Sequence, residues 1–306
     1  MHFCGVQIRK VELKMAKGQR GAPKLNQARS FRGQRPQIAR SVEKKAFIPR
    51  ERTLGGEQVE GRQAVKELLS AKKRRVKEIW LSDSVDRVGI VEEISELAFH
   101  QRVPIISVSR TKLDASAGSE GSQGIIAFAE RLQETPLEEL IKIRKGIKPF
   151  LILLDGVTDP YNLGAILRSA ECAGVTGVIL PEHRSVHVTP AATKSAAGAI
   201  EHLRFSMVPG VPAALQELSK AGVWSVGLDA EADKSIYQVT LYDQPVVLVF
   251  GAEGKGLAPL VRQRCDLLAS IPQYGHIPSL NVSNAAALAM FEVARTRSNL
   301  DLPDGN

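Results

Sequence analysis

The chain has 306 residues, 43% of them apolar, which suffices for ordinary buried cores in two domains. No apolar run approaches the roughly 18 residues that span a bilayer. Three cysteines (Cys4, Cys172 and Cys265) with no CxxC pair exclude a disulfide framework and a zinc ribbon, and fit a reducing compartment. The net charge of +8 is uneven: residues 1–52 hold 14 Lys and Arg against 3 Asp and Glu, while the other 254 hold 27 against 30. A basic arm on a nearly neutral body points to a polyanionic partner.

Residues 1–54 lack hydrophobic periodicity and are rich in Arg, Lys, Gln, Gly and Pro, as in Gly18-Gln19-Arg20-Gly21 and Phe31-Arg32-Gly33-Gln34-Arg35-Pro36. Such a segment buries too little apolar surface to offset its ordering entropy, so a disordered basic tail is predicted. It reads as an RNA-attracting arm; a solvated tail and an organelle-targeting presequence are the alternatives. Residues 55–130 follow an α/β pattern. Val59 to Ala71 is predicted helical, with Val65, Leu68 and Leu69 on one face, and Val76 to Leu81 a strand. Ile90, Ile94, Leu97 and Ala98 keep helical spacing, and Val103–Val108 and Gly124–Phe128 are strands. Lys72-Lys73-Arg74-Arg75 falls in the loop after the first helix. It is a candidate RNA contact, although a charge run is also an ordinary solvated surface.

Residues 131–149, with Pro136, Pro149 and several lysines, read as a linker. From 150 to 298 short apolar strands alternate with helices: Phe150–Leu154, Gly177–Leu180, Trp224–Leu228, Val246–Phe250 and Leu268–Ile271. The alternation predicts a mostly parallel sheet covered on both faces. Residues 299–306 read as a C-terminal tail. His183 and His187 are four apart but bracketed by Pro181 and Pro190, so they predict a loop, and no metal site is expected.

Three segments follow predicted strands, where open α/β sheets bind ligands. In the first, Asp155 to Gly164, Pro160 and Asn162 mark a turn into a helix whose buried stripe is Leu163, Ile166, Leu167 and Ala170. Arg168 lies off that stripe. The plain alternative is a capping Asn162 and a surface Arg168. The second segment runs from a buried strand into Gly251-Ala252-Glu253-Gly254-Lys255-Gly256. Its order is GxxGxG, not the GxGxxG of dinucleotide sites, and no GxxxxGK[ST] is present. Glu253 inside the loop would repel phosphates, so the ligand is not a polyphosphate. The third segment, Ile271-Pro272 and then Ser279-Leu280-Asn281-Val282-Ser283-Asn284, opens a long apolar helix. Capping accounts for one of its polar residues, not for all of them.

The ordered triple NLGAILRSAECAG (162–174), LVFGAEGKGL (248–257) and IPxxGxxxSLNVSNAAALAMFE (271–292) resembles the three signature motifs of the SpoU/TrmH class of RNA ribose 2′-O-methyltransferases, in the SPOUT superfamily. Within that class it is most similar to the enzymes acting on guanosine of 23S rRNA. Gly61-Arg62-Gln63-Ala64-Val65 and Gln123-Gly124-Ile125-Ile126-Ala127 resemble the small ribosomal-protein-like RNA-binding domain that precedes the catalytic domain in rRNA-modifying members. The basic tail is not part of the common pattern.

The resemblance implies a SPOUT domain with a deep trefoil knot, a homodimer in the cytoplasm, and S-adenosylmethionine held against Gly251, Ile271 and Leu280, with contacts from Leu248, Ala252, Gly256 and Asn281. It implies Arg168 as the residue acting on the 2′-hydroxyl, oriented with the ribose and cofactor by Asn162, Glu253, Ser279 and Asn281. A guanidinium stays protonated near neutrality, so a phosphate clamp that steadies oxyanion character is favoured over a base. RNA contacts are expected at Arg62, Lys72, Lys73, Arg74 and Arg75, with 23S rRNA or a pre-ribosomal particle as partner. A tRNA ribose methyltransferase and a non-catalytic RNA-binding protein on the same scaffold are the competing readings.

Overall fold

The computed structural model describes residues 53–183, 187–277 and 279–300. The predicted tail up to Arg52 and the last six residues lie outside the described residues. Thr53 and Leu54, expected in the tail, are already part of the fold. Leu54 is 1% exposed in the main core, and its carbonyl accepts from the Val188 amide at 2.9 Å. A side chain on Gly55 would meet the Val188 carbonyl at 2.6 Å, so glycine is required where the two backbones meet.

The first half comprises β1 (Gln58–Glu60), α1 (Arg62–Ala71), β2 (Val76–Ser82), α2 (Ile90–His100), β3 (Ile105–Val108), α3 (Arg110–Ser116) and β4 (Ile125–Ala129). Its sheet runs β1-β4-β2-β3, with β2 and β3 parallel and the other pairs antiparallel. The predicted helix starts later than expected. Val59 pairs with Ala127 in the sheet, and Gly61 at φ 94° turns the chain before helical geometry begins. Ala64, Val65, Leu68 and Leu69 of α1 then pack with Ile94 and Ala98 of α2 over Ile79 and Leu81, as the periodicity predicts.

The 131–149 segment does connect the halves, but it is docked. Leu132 is buried, the Thr135 amide donates to the Phe205 carbonyl at 2.7 Å, and a single helical turn α4 (Leu137–Leu140) buries Leu137 and Leu140. The second half continues with β5 (Phe150–Asp155), α5 (Pro160–Cys172), β6 (Gly177–Pro181), α6 (Pro190–Ser195), β7 (Phe205–Val208), α7 (Val211–Lys220), β8 (Trp224–Leu228), β9 (Val246–Gly251), α8 (Pro259–Arg264), β10 (Leu267–Ala269) and α9 (Val282–Leu300). All six strands are parallel, in the order β10-β8-β9-β5-β6-β7.

Alternation along β5 and β9 builds the two layers. Phe150, Ile152 and Leu154 with Val246, Leu248 and Phe250 face α5 and α9; Leu151, Leu153, Val247 and Val249 face α7 and α8. Both strands are buried on both faces, which is why they read as continuous apolar runs. Strand order reverses at the β5–β9 pair, because the chain builds outward through β6 and β7 and then crosses to the far side. A crevice opens at such a switch point, outside the carboxyl ends of the strands.

A buried ion pair joins the two halves. Arg74 donates Nε to Glu201 Oε2 at 2.9 Å and Nη2 to Oε1 at 2.5 Å, and its Nη1 reaches the carbonyls of Gly56 and Glu130. The two side chains are 5% and 3% exposed. Arg74 was expected to contact RNA; with its fork committed to Glu201 and to carbonyls, it is a structural bond instead. Removing one partner strands a buried charge, so Arg74→Ala should cost about 3–5 kcal/mol in urea unfolding. Retention of full stability would show that the pair does not hold the halves together.

Candidate active site at the strand ends

The loop after β5 turns at Gly156 (φ 85°), and Asp159 begins α5 by accepting the Asn162 amide on its carboxylate at 2.8 Å. Asp159, not Asn162, is therefore the cap. That frees the Asn162 side chain, which donates Nδ2 to Glu253 Oε2 at 3.2 Å and accepts on Oδ1 from Asn281 Nδ2 at 3.0 Å. Asn281 caps α9 with its own Oδ1, which takes the Ser283 amide at 2.8 Å and hydroxyl at 2.6 Å. One hydrogen-bonded chain thus passes from the third segment through the first to the second and ends on a carboxylate. Serial polarisation strengthens such chains.

The loop after β9 closes on itself. Ala252 and Gly256 exchange both backbone hydrogen bonds, at 3.0 and 2.9 Å. A side chain on Gly251 would come within 2.1 Å of the Gly256 carbonyl carbon, so this glycine is demanded by the loop's own return path. Gly254 (φ 75°) and Gly256 (φ 64°) face open space. Asp155 at the end of β5 accepts the Ala258 amide at 2.9 Å and ties the loop's exit to the neighbouring strand. Between the loops lies a cleft of about 240 Å³ lined by Asn162, Asp159, Ala252, Glu253, Lys255 and Val282, among others.

The profile of the SpoU rRNA Methylase family matches residues 149–291, and that of the RNA 2′-O ribose methyltransferase substrate binding domain matches 58–135. The 23S rRNA (guanosine-2′-O-)-methyltransferase of Pseudomonas aeruginosa is 42% identical over 249 residues, spanning 80% of this chain and 98% of its own. The chain belongs to the SpoU rRNA methylase family. The enzyme of the same name from Shewanella oneidensis is 42% identical over 78% of this chain and 96% of its own. Among solved structures, the SpoU methyltransferase AviRb from Streptomyces viridochromogenes, in complex with AdoMet, shares the fold at TM-score 0.65 and 24% identity, covering 79% of this chain and 90% of that one.

Of the residues expected at a SpoU methylase site, the structure brings Asn162, Glu253, Asn281 and Ala252 together around the cleft. Leu280 is exposed and Ile271 is partly buried against the α5–α9 core. Leu248 lies within β9, below the loop. It is fully buried, flanked in register by Ile152 and Val226, so its side chain supports the loop from beneath. Arg168 is exposed on α5 and makes no ion pair among the described residues. Ser279 is exposed and joins no hydrogen bond there. Lys72, Lys73 and Arg75 are exposed; Arg62 is half-buried and anchored to Gln123 by its backbone and its Nε. Asp155, Asp159 and Ser283 were not singled out as site residues, although Asp159-Pro160 ahead of a helical stripe is a capping signal.

Cys265 is no nucleophile. Burial first, and then Asp266 and Asp155, push its thiol up to about 12. Iodoacetamide at pH 8 should leave Cys265 unmodified in the native protein and label it after unfolding, as read by peptide mass spectrometry. For the loop, Gly251→Ala should cost about 1–3 kcal/mol by overpacking. Gly256→Asn, in open space and in a conformation that asparagine tolerates, should cost less. Equal losses would mean that the loop's return path imposes no such constraint.

Proposed function

We propose that this chain methylates a ribose 2′-hydroxyl in RNA, with S-adenosylmethionine as donor and a guanosine of 23S rRNA as target. The observation that carries the reading is the single hydrogen-bonded chain through Asn162, Glu253 and Asn281, which gathers all three family segments at one cleft. The substrate assignment follows the curated relatives, whose names specify guanosine-2′-O methylation of 23S rRNA and whose lengths are matched almost end to end.

The residues present suit the cofactor. Glu253 disfavours a polyphosphate and complements a cationic ligand, and the exposed Gly254 and Gly256 leave main-chain groups accessible. Gly251, Ala252, Gly256, Ile271, Leu280 and Asn281 would hold it. When bound, it supplies an electrophilic methyl group on a sulfonium. The chain's own residues then align the sugar and manage charge. Arg168, which forms no ion pair among the described residues, binds an RNA phosphate and steadies negative character on the 2′-oxygen as its proton passes to water. Asn162, Glu253 and Ser279 orient the ribose.

The family's deep trefoil knot and homodimer belong to this reading, as does a cytoplasmic site of action. Leu288 and Phe291, 45% and 49% exposed on the outer face of α9, give a second copy of the chain an apolar surface to cover. Lys72, Lys73 and Arg75 contact phosphates, and the basic arm adds long-range attraction.

Arg168→Ala should lower methyl transfer at saturating RNA by about 10²–10³-fold, the size of losing one charge-stabilising donor. A wild-type rate would remove Arg168 from the chemistry. Deleting residues 1–52 should flatten the slope of log affinity against log salt, since each neutralised phosphate releases counterions. Cofactor affinity should not change. An unaltered slope would leave the arm without a role in RNA attraction.

A further inference from the structure

Positive charge also gathers at the edge of the six-stranded sheet opposite the cleft. Pro149, Thr176 and Arg204 immediately precede β5, β6 and β7. Asn162 and Glu253 lie beyond the other ends of β5 and β9, so the two edges are one strand apart, about 20 Å at about 3.3 Å per residue. At the far edge a cleft of about 360 Å³ is lined by Lys73 from the first half, by Lys142, Arg144 and Lys145 from the connecting segment and by Arg204 from the second half. It meets a larger groove at Lys73, where Lys72, Arg75, Lys77 and Arg102 continue the basic lining. A further pocket shares Lys73 and Arg204 and bridges the two.

Few carboxylates answer this charge. Among the described residues Glu139 pairs with both Lys142 and Arg144, Glu201 is committed to Arg74, and Glu130 is the one carboxylate in the groove's lining. Among the described residues Arg204 donates to the carbonyls of Thr176 and Glu139 and forms no direct ion pair, the Glu139 carboxylate acting on it only through space. Burial chiefly, and then the neighbouring Arg144, lower its pKa, with Glu139 opposing the shift. Arg144 and Ile147 pair across a tight turn whose tip is Lys145 (φ 52°) and Gly146 (φ 79°), which presents Lys145 to solvent. No Phe, Tyr or Trp lines the cleft or the groove, and His202 in the cleft is the one aromatic ring among their lining residues, so the surface offers mainly phosphate contacts.

We infer that this composite surface is a second RNA contact, built jointly by the two halves, that grips the phosphate backbone of a helix distant from the target ribose. The inference rests on the proposed function and deepens it. A ribose at one sheet edge and a phosphate at the other cannot both be supplied by a short oligonucleotide, but a folded RNA reaches both. The surface therefore selects for structured RNA, and the Arg74–Glu201 pair fixes its two parts in one frame.

The test compares the full chain with Lys142→Gln/Lys145→Asn, which touches only the connecting segment, where no RNA contact is expected from sequence. Two RNAs are used: a 23S rRNA fragment with several helices and a short hairpin carrying the target nucleotide. For the fragment, the salt slope of log affinity should fall by about 2, about 1 for each lysine, with KM raised about 10-fold. Binding and methylation of the hairpin should stay at wild-type levels, and Lys142→Arg/Lys145→Arg should restore the fragment's slope. An unchanged slope and KM for the fragment, with an unchanged melting temperature, would overturn the inference. Binding is read apart from methyl transfer. A wild-type chain that binds both RNAs and methylates neither would overturn the activity, while its salt slopes still decide the surface.

Discussion

The amide of Asn162 holds the site together. It is one planar group with a donor and an acceptor, and it uses them in opposite directions: the donor to the Glu253 carboxylate at 3.2 Å, the acceptor from Asn281 at 3.0 Å. Three loops that leave different strands thereby share one reference point. The geometry depends on local arrangements on each side. Asp159 takes over the helix cap and leaves Asn162 free, and Asn281 caps α9 with its oxygen while its nitrogen faces Asn162. An aspartate in place of Asn162 would set its carboxylate against that of Glu253, and a serine is too short to reach both ways.

The scaffold beneath makes the arrangement rigid. β5 and β9 lie side by side, in register from Phe150 and Val246 to Asp155 and Gly251, and both are sealed by helices on either face. Their ends therefore stay fixed while the loops carry the chemistry. On the far side of the sheet, Arg74 and Glu201 lock the small domain to the catalytic one. A residue in a basic run thus serves architecture, while its neighbours Lys72, Lys73 and Arg75 remain exposed. With the two domains fixed by this bond, the small domain and the cleft keep one relative orientation.

Much of this was legible in the residues, and the exceptions have physical reasons. The long apolar strands could be read because burial on both faces leaves no polar interruption. β7 (Phe205–Val208) was not anticipated, since four residues with a serine among them carry little pattern. β1 was read as helix because Val59 also fits the helical stripe, and only its pairing with Ala127 decides. The segment 131–149 read as a linker from its prolines and lysines; its docking rests on Leu132, Leu137 and Leu140, too widely spaced to signal an element. The residues gathered at the cleft were visible as motifs, but their hydrogen-bond partners were not. Sequence spacing cannot tell which of Asp159 and Asn162 caps the helix, nor that Leu248 lies beneath the loop, nor that Arg74 faces a carboxylate 127 residues away.

The central claim is that the three loops act as one unit through Asn162. A double-mutant cycle with Asn162→Ala and Asn281→Ala, read by calorimetric titration with S-adenosylmethionine, tests it most directly. The account predicts that each substitution weakens binding and that the pair is coupled by about 1 kcal/mol or more. Additive losses, or affinity untouched by either change, would contradict it.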